Sequence, residues 1–145
     1  MIIENPQTDE QGAESEIRNI LQRVVDSVRT RDYEAVRDLI PDDGIYYGSV
    51  AIMARGYDEL REKQFSKVWP NIDKFSMPPE SMQIQCMDRM AWAICLFESS
   101  ATSPDGEILS RCGRMTFVFE RRNGSWVMVH SHDSLYPTPP GKIGA

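Results

Sequence analysis

Cysteine, histidine and long apolar runs are all scarce in this chain, and each scarcity closes off a class of protein. Its three cysteines, Cys86, Cys95 and Cys112, are odd in number and widely spaced, with no CxxC pair. They therefore suit neither a disulfide framework nor a zinc knuckle, and read as reduced packing residues. The two histidines, His130 and His132, stand two apart on one strand and share a face, yet no third ligand lies nearby in sequence. No metal and no cofactor is expected on that ground. Basic residues are outnumbered, 16 Lys+Arg against 22 Asp+Glu for a net charge of -6, a balance that repels a phosphate backbone and argues against a nucleic-acid partner. No apolar stretch approaches the roughly 18 residues of a membrane span. The opening MIIENPQTDEQG lacks both a basic start and an apolar signal core, so a cytoplasmic protein with no membrane partner is expected.

What is present fits one domain. A chain of 145 residues that is 41% hydrophobic can bury one continuous core. The organisation expected is a flexible arm over 1–13, a single domain over 14–137 and a flexible PTPPGKIGA-type tail over 138–145. From Glu14 onward Ile17, Ile20, Leu21, Val24, Val25 and Val28 fall at the spacing of an amphipathic helix. Asp32 caps a second short helix carrying Val36, Leu39 and Ile40, which Pro41 ends. The short strand GIYYG follows, then a third helix from Arg55-Gly56 through Tyr57, Leu60, Phe65, Val68 and Trp69 to Pro70.

The second half changes period. Met82, Ile84 and Cys86 alternate with polar neighbours, and AWAICLFESSAT, ILSRCGRMTFVFE and WVMVHSHDSLY are separated by the turn signals Pro104-Asp105-Gly106 and Asn123-Gly124. Helices followed by hairpins predict an α+β domain whose antiparallel sheet curls around the long helix, leaving a conical pocket.

The parity of the last strand decides what lines that pocket. A two-residue Asn-Gly loop sets Phe117 opposite His130; a three-residue loop, Arg122-Asn123-Gly124, sets it opposite Val129. The longer loop gathers β-branched residues against the phenylalanines and is the one expected. It turns Val127, Val129, Ser131 and Asp133 inward, and Trp126, Met128, His130 and His132 outward.

The helix AESEIRNILQRVVDSVRTRDYEAVRDL, the RGYDELREKQFSKVW helix and the ending RMTFVFERRNGSWVMVHSHDS together resemble the nuclear-transport-factor-2-like superfamily, in particular the SnoaL-like proteins and the calcium/calmodulin-dependent protein kinase II association domain. The resemblance runs from Glu14 to Pro137 and is most specific in Arg-Arg-Asn-Gly-x-Trp-x-x-Val-His-x-His-x-Ser. It implies an α+β barrel: a cone of N-terminal helices on a strongly curved antiparallel sheet, a small-molecule pocket inside, and a dimer or larger ring formed through the sheet's outer face. Members include polyketide cyclases, ketosteroid isomerases and dehydratases that use a pocket carboxylate, and also pure assembly modules. The association domain lines its pocket with arginines. The matching positions here are Phe97, Phe117 and Asp133, so the pocket expected is apolar, with Phe65, Trp69, Cys95, Phe97, Met115, Phe117 and Ser131 as lining and one carboxylate.

Two functions follow from different classes. In the first, a cofactor-free isomerase, cyclase or dehydratase acts on an apolar or aromatic carbonyl compound. Asp133, its charged form disfavoured by desolvation, moves the proton, and Tyr47 (Tyr46 if the short strand is turned over) steadies the oxyanion. In the second, a non-catalytic binding or assembly module holds a metabolite or nothing. Asp133 then sits solvated at a strand end, Phe65 and Trp69 are core packing, and Trp92, Trp126, His130 and His132 form the interface of a homo-oligomer, a dimer being expected. A serine hydrolase is not expected: neither histidine shares a face with Ser131, and no GxSxG elbow exists.

Overall fold

A computed structural model describes residues 6–137. Helix α1 spans Pro6–Thr30, so the arm expected over 1–13 is helical from Pro6 on, while residues 1–5 and the expected tail at 138–145 lie outside the described residues. The earlier start has a local cause. Proline suits the first turn, where its missing N–H has no partner to lose, and Ala13 extends the buried stripe of Ile17, Leu21, Val25 and Val28 by one more turn. A 3-10 helix at Tyr33–Leu39 follows, with the Asp32 carboxylate accepting from the Ala35 amide; Ile40 is extended ahead of Pro41. The third helical stretch is composite. It comprises α2 (Gly56–Leu60), a widened π turn (Arg61–Phe65), α3 (Ser66–Val68) and a 3-10 turn at Trp69–Asn71.

The strands are β1 (Ile45–Tyr47), β2 (Ala54–Arg55), β3 (Lys74–Ser76), β4 (Gln83–Cys86), β5 (Met90–Thr102), β6 (Ile108–Ser110), β7 (Gly113–Arg122) and β8 (Ser125–Leu135). They form one sheet in the order β2-β1-β8-β7-β5-β3, with β4 and β6 also paired to β5. All pairings are antiparallel except β1 with β8, which run parallel; the sheet is therefore mixed. Residues of β5 alternate along its length. Ala91, Ala93, Cys95, Phe97 and Ser99 are buried, while Met90, Trp92, Ile94, Leu96 and Glu98 are exposed, the period-two pattern of a sheet with one face on a core.

The β7–β8 hairpin departs from expectation in a way that rearranges the last strand. Its loop has two residues, Asn123 and Gly124, at φ 51° and 79°. Positive φ at both positions is the primed turn whose twist matches the flanking strands, and asparagine and glycine are the residues that tolerate it. Arg121 thus faces Trp126 and Phe119 faces Met128. The register then shifts: Val118 pairs with His130, leaving Val129 as the extra residue of a β-bulge. Before the bulge Trp126 and Met128 point inward; after it Ser131 and Asp133 do, opposite Phe117 and Met115. One additional residue brings both parities of the strand to the same face. Val127 and Val129, expected inside, are half-buried, with Val127 opposite Glu120.

Trp126 therefore leaves the expected interface set. It is 5% exposed; its indole Nε1 donates to Glu16 Oε2 of α1 at 2.7 Å, and the Arg121 guanidinium lies 4.4 Å from the ring centroid. The surface on which it was expected is replaced by a core contact that ties the hairpin to α1.

Candidate functional site

Between the helices and the curved sheet lies a cavity of about 90 Å³. At roughly 10–15 Å³ of such space for each water, it has room for several. Its helical side is Val24 and Val28 of α1, Val36 and Leu39 of the 3-10 helix, and Leu60, Phe65, Val68 and Trp69 of the composite helix. Its sheet side is Phe75, Phe97, Met115, Phe117, Met128 and Ser131, with Asp133. Phe65 and Trp69 stack at 4.2 Å between ring centroids, and Tyr33 joins them at 5.3 Å from Trp69, so the aromatic end of the helix forms a rigid wall.

Of the lining residues set out from the sequence, Phe65, Trp69, Phe97, Met115, Phe117 and Ser131 are in the wall. Cys95 is not. It lies on the inner face of β5, but its thiol points at Met77 Sδ, 3.7 Å away, and the residue is packed behind the wall. Burial, with the neighbouring Asp133 charge adding to it, pushes that thiol up to about 12, which leaves it protonated and inert at neutral pH.

Tyr47 also departs from its expected role. β1 pairs in parallel with β8, so Tyr46 stands beside Ser131 and Tyr47 beside His132. Tyr47 is among the residues bordering the cavity, and its ring packs edge-on against His130 and His132, at 5.2 and 5.5 Å between centroids. Tyr46 points inward and is fully buried, yet its hydroxyl is consumed by donation to the Met128 carbonyl at 2.5 Å. Tyr46 therefore has no free hydroxyl to offer an oxyanion, and the Tyr47 ring is held by the two histidines. His130 and His132 do lie on the outer face with Tyr47; His130 Nδ1 sits 2.6 Å from the Ile45 carbonyl, which holds its ring against β1. Among the described residues no three His, Cys, Asp or Glu side chains gather as a metal-binding group, and no helix is long and apolar enough to cross a membrane.

Asp133 carries the electrostatic character of the cavity. Its Oδ1 is buried and has no hydrogen-bond partner among the described residues. Burial raises its carboxyl to about 7, against an opposing pull from the Arg111 guanidinium. The cause is the mainly apolar surroundings, which strip hydration from Oδ1 of this half-buried carboxyl and offer that oxygen no hydrogen bond in return.

Four further polar wall residues escaped the sequence reading: Ser49, Gln64, Ser99 and Arg111. Gln64, 6% exposed on the π turn, accepts through Oε1 from the Val50 and Ala51 amides at 3.0 and 2.9 Å and donates through Nε2 to Ser49 Oγ at 3.0 Å. Arg111 donates to the same Ser49 Oγ at 2.8 Å. Arg111 occupies the break between β6 and β7. Its amide donates to the Ser99 carbonyl and its own carbonyl accepts from the Ser99 hydroxyl. The sequence signal was weak. In ILSRCGRM an interruption of the alternation was visible only as a Cys-Gly pair, and nothing local indicated that the interrupted residue turns to the inner face.

Comparison with known proteins agrees with this architecture. The SnoaL-like domain family matches residues 17–139. The chain belongs to that family. No functionally curated protein matches it. Similar solved structures include a nuclear-transport-factor-2-like superfamily protein from Salmonella enterica serovar Typhimurium (18% identity, 93% of this chain and 99% of that one, TM-score 0.75). A ketosteroid isomerase-like protein from Erwinia carotovora is also similar (19% identity, 86% and 96%, TM-score 0.72), as is the association domain of Caenorhabditis elegans calcium/calmodulin-dependent protein kinase II (17% identity, 87% and 98%, TM-score 0.68). At these identities the likeness is one of fold, and the chemistry has to be argued from this chain's own cavity.

Proposed function

We propose that the cavity binds a small apolar carbonyl compound and that Asp133 transfers a proton on it without a cofactor, as an isomerase, cyclase or dehydratase would. The observation that carries this reading is the buried, unpartnered Asp133 Oδ1 in a mainly apolar wall. In the ionised form Asp133 takes a proton from the carbon next to the carbonyl. The C–H pair moves into a C=C bond, and the carbonyl oxygen takes the negative charge. Return of the same proton to another carbon completes an isomerisation, and Asp133 is regenerated. The steadying of that oxygen, expected of Tyr47, passes to the hydroxyls of the wall, of which Ser131 lies on the same strand face as Asp133.

Exchange of the α-hydrogens of cyclopentanone in deuterated buffer reads this chemistry before any natural substrate is known. Exchange accelerated by the protein should rise with pH through about 7, where the carboxyl ionises, and level off above it. Asp133→Asn should reduce it by about 100-fold or more, the usual contribution of a general base. Equal exchange by the two proteins removes Asp133 from the mechanism.

A second reading, self-assembly through the outer face, is favoured by the row Met90, Trp92, Ile94 and Leu96 on β5, at 44, 37, 37 and 40% exposure. A contiguous apolar row on an open sheet face suits burial against a second copy. His130, His132 and Tyr47 lie on β8 and β1 of the same face. Sedimentation should then give a dimer for the wild type and a monomer for Ile94→Lys. A wild-type monomer at high concentration rejects the reading. The two readings are compatible, since they use opposite faces of one sheet.

A further inference from the structure

Asp133 and Arg111 are the two charged residues in the described wall of the cavity. They feel each other electrostatically, yet they form no ion pair, and Arg111 appears in none of the ion pairs among the described residues. A buried carboxyl oxygen without a partner and a guanidinium of opposite sign thus share one apolar chamber without closing on each other. Such an arrangement leaves both groups available to a third.

The guanidinium is held for this purpose from two sides. Its backbone is fixed by the reciprocal contacts with Ser99, and its side chain by Ser49 Oγ, which also accepts from Gln64. Gln64 is in turn immobilised by the Val50 and Ala51 amides. With Ser49 Oγ accepting from both neighbours, its own O–H is free to donate. An arginine has five N–H donors in a planar fork that matches a carboxylate; Ser49 takes one of them in this structure. The bonds made by Arg111 within the chain are to neutral oxygens, whereas an anion would form shorter and stronger charge-assisted ones.

We infer that Arg111, with Ser49, forms an anion subsite in the cavity, and that the ligand is a small apolar or aromatic acid whose carboxylate docks on Arg111 while its body lies along the Phe97, Phe117 and Trp69 wall and its reactive carbon faces Asp133. This rests on the proposed use of the cavity as a ligand site and narrows it from carbonyl compounds in general to those that carry a carboxylate. The arrangement also assigns the two charges different duties: Arg111 orients the ligand and Asp133 reacts with it.

The test compares two probes of one shape, cyclopentanecarboxylate and cyclopentanecarboxamide, titrated calorimetrically into the full chain. The acid should bind at least about tenfold more tightly than the amide. Arg111→Gln should erase that preference by weakening the acid far more than the amide, and Arg111→Lys should retain part of it. Because the Ser99 contacts are made by the Arg111 backbone, both variants keep them, and circular dichroism checks that each is folded. Equal binding of acid and amide by the wild type, or an undiminished preference in Arg111→Gln, overturns the anion subsite while leaving the cavity as a neutral-ligand site. Binding of neither probe overturns the subsite and the ligand-site reading together.

Discussion

Asp133→Asn should stabilise the folded protein at pH 8 by on the order of 4 kcal/mol and should leave its stability unchanged below about pH 4. In the folded chain the carboxyl sits at about 7, raised from 3.8. Between those values the unfolded chain has lost a proton that the folded chain still binds. Stability therefore falls as pH rises through this window, by about 1.4 kcal/mol for each pH unit, and is level above about 7. Asparagine has no proton to lose, so the difference between the two proteins should open across pH 4 to 7 and stay constant beyond. Urea unfolding of both proteins at a series of pH values measures it. Parallel stability profiles would mean that the carboxylate is hydrated in the folded state, and would overturn the prediction. Under the proposed function the same variant should also lose proton transfer, and a gain in stability alongside a loss of exchange would show that the wall tunes the carboxyl at a cost to the fold.

Trp126→Ala should destabilise the protein by about 3–5 kcal/mol, the range for removing a large buried aromatic from a packed core. The indole is 5% exposed between Arg121 and α1, and its N–H is satisfied by Glu16. Trp126→Phe should keep most of the packing and lose that one hydrogen bond, a cost of about 1 kcal/mol with Glu16 exposed to solvent. Thermal or urea unfolding separates this from the alternative placement on the outer sheet face. There, truncation would change stability by less than about 0.5 kcal/mol and act on association alone. The experiment thus tests the two-residue Asn123-Gly124 loop, which fixes the parity of Trp126, through a residue remote from the cavity.

The β-bulge at Val129 marks where local sequence patterns cease to be sufficient. The helix stripe from Ile17 to Val28, the cap at Asp32, the alternation in β5 and the turn signal at Asn123-Gly124 are local patterns, and each has its counterpart in the structure. Asp133 was placed inward for an incorrect reason. A longer loop was invoked where the chain has a short loop and a bulge, and the two give the same parity beyond His130 but opposite parity before it. Ser131 and Asp133 therefore share the inner face under either loop, whereas Trp126 and Met128 turn inward with the short loop alone.

Spacing and residue type were enough to define the order of helices and strands, the apolar wall from Phe65, Trp69, Phe97 and Phe117, and a lone acid at the end of the last strand, because hydrophobic periodicity is written into neighbouring residues. The second charge in the cavity, Arg111, and the placements of Tyr46, Tyr47 and Cys95 depend on which strands lie side by side and where a register slips by one residue. Those are properties of contacts between distant segments, and they follow from the packing of the whole sheet around α1; no local pattern encodes them.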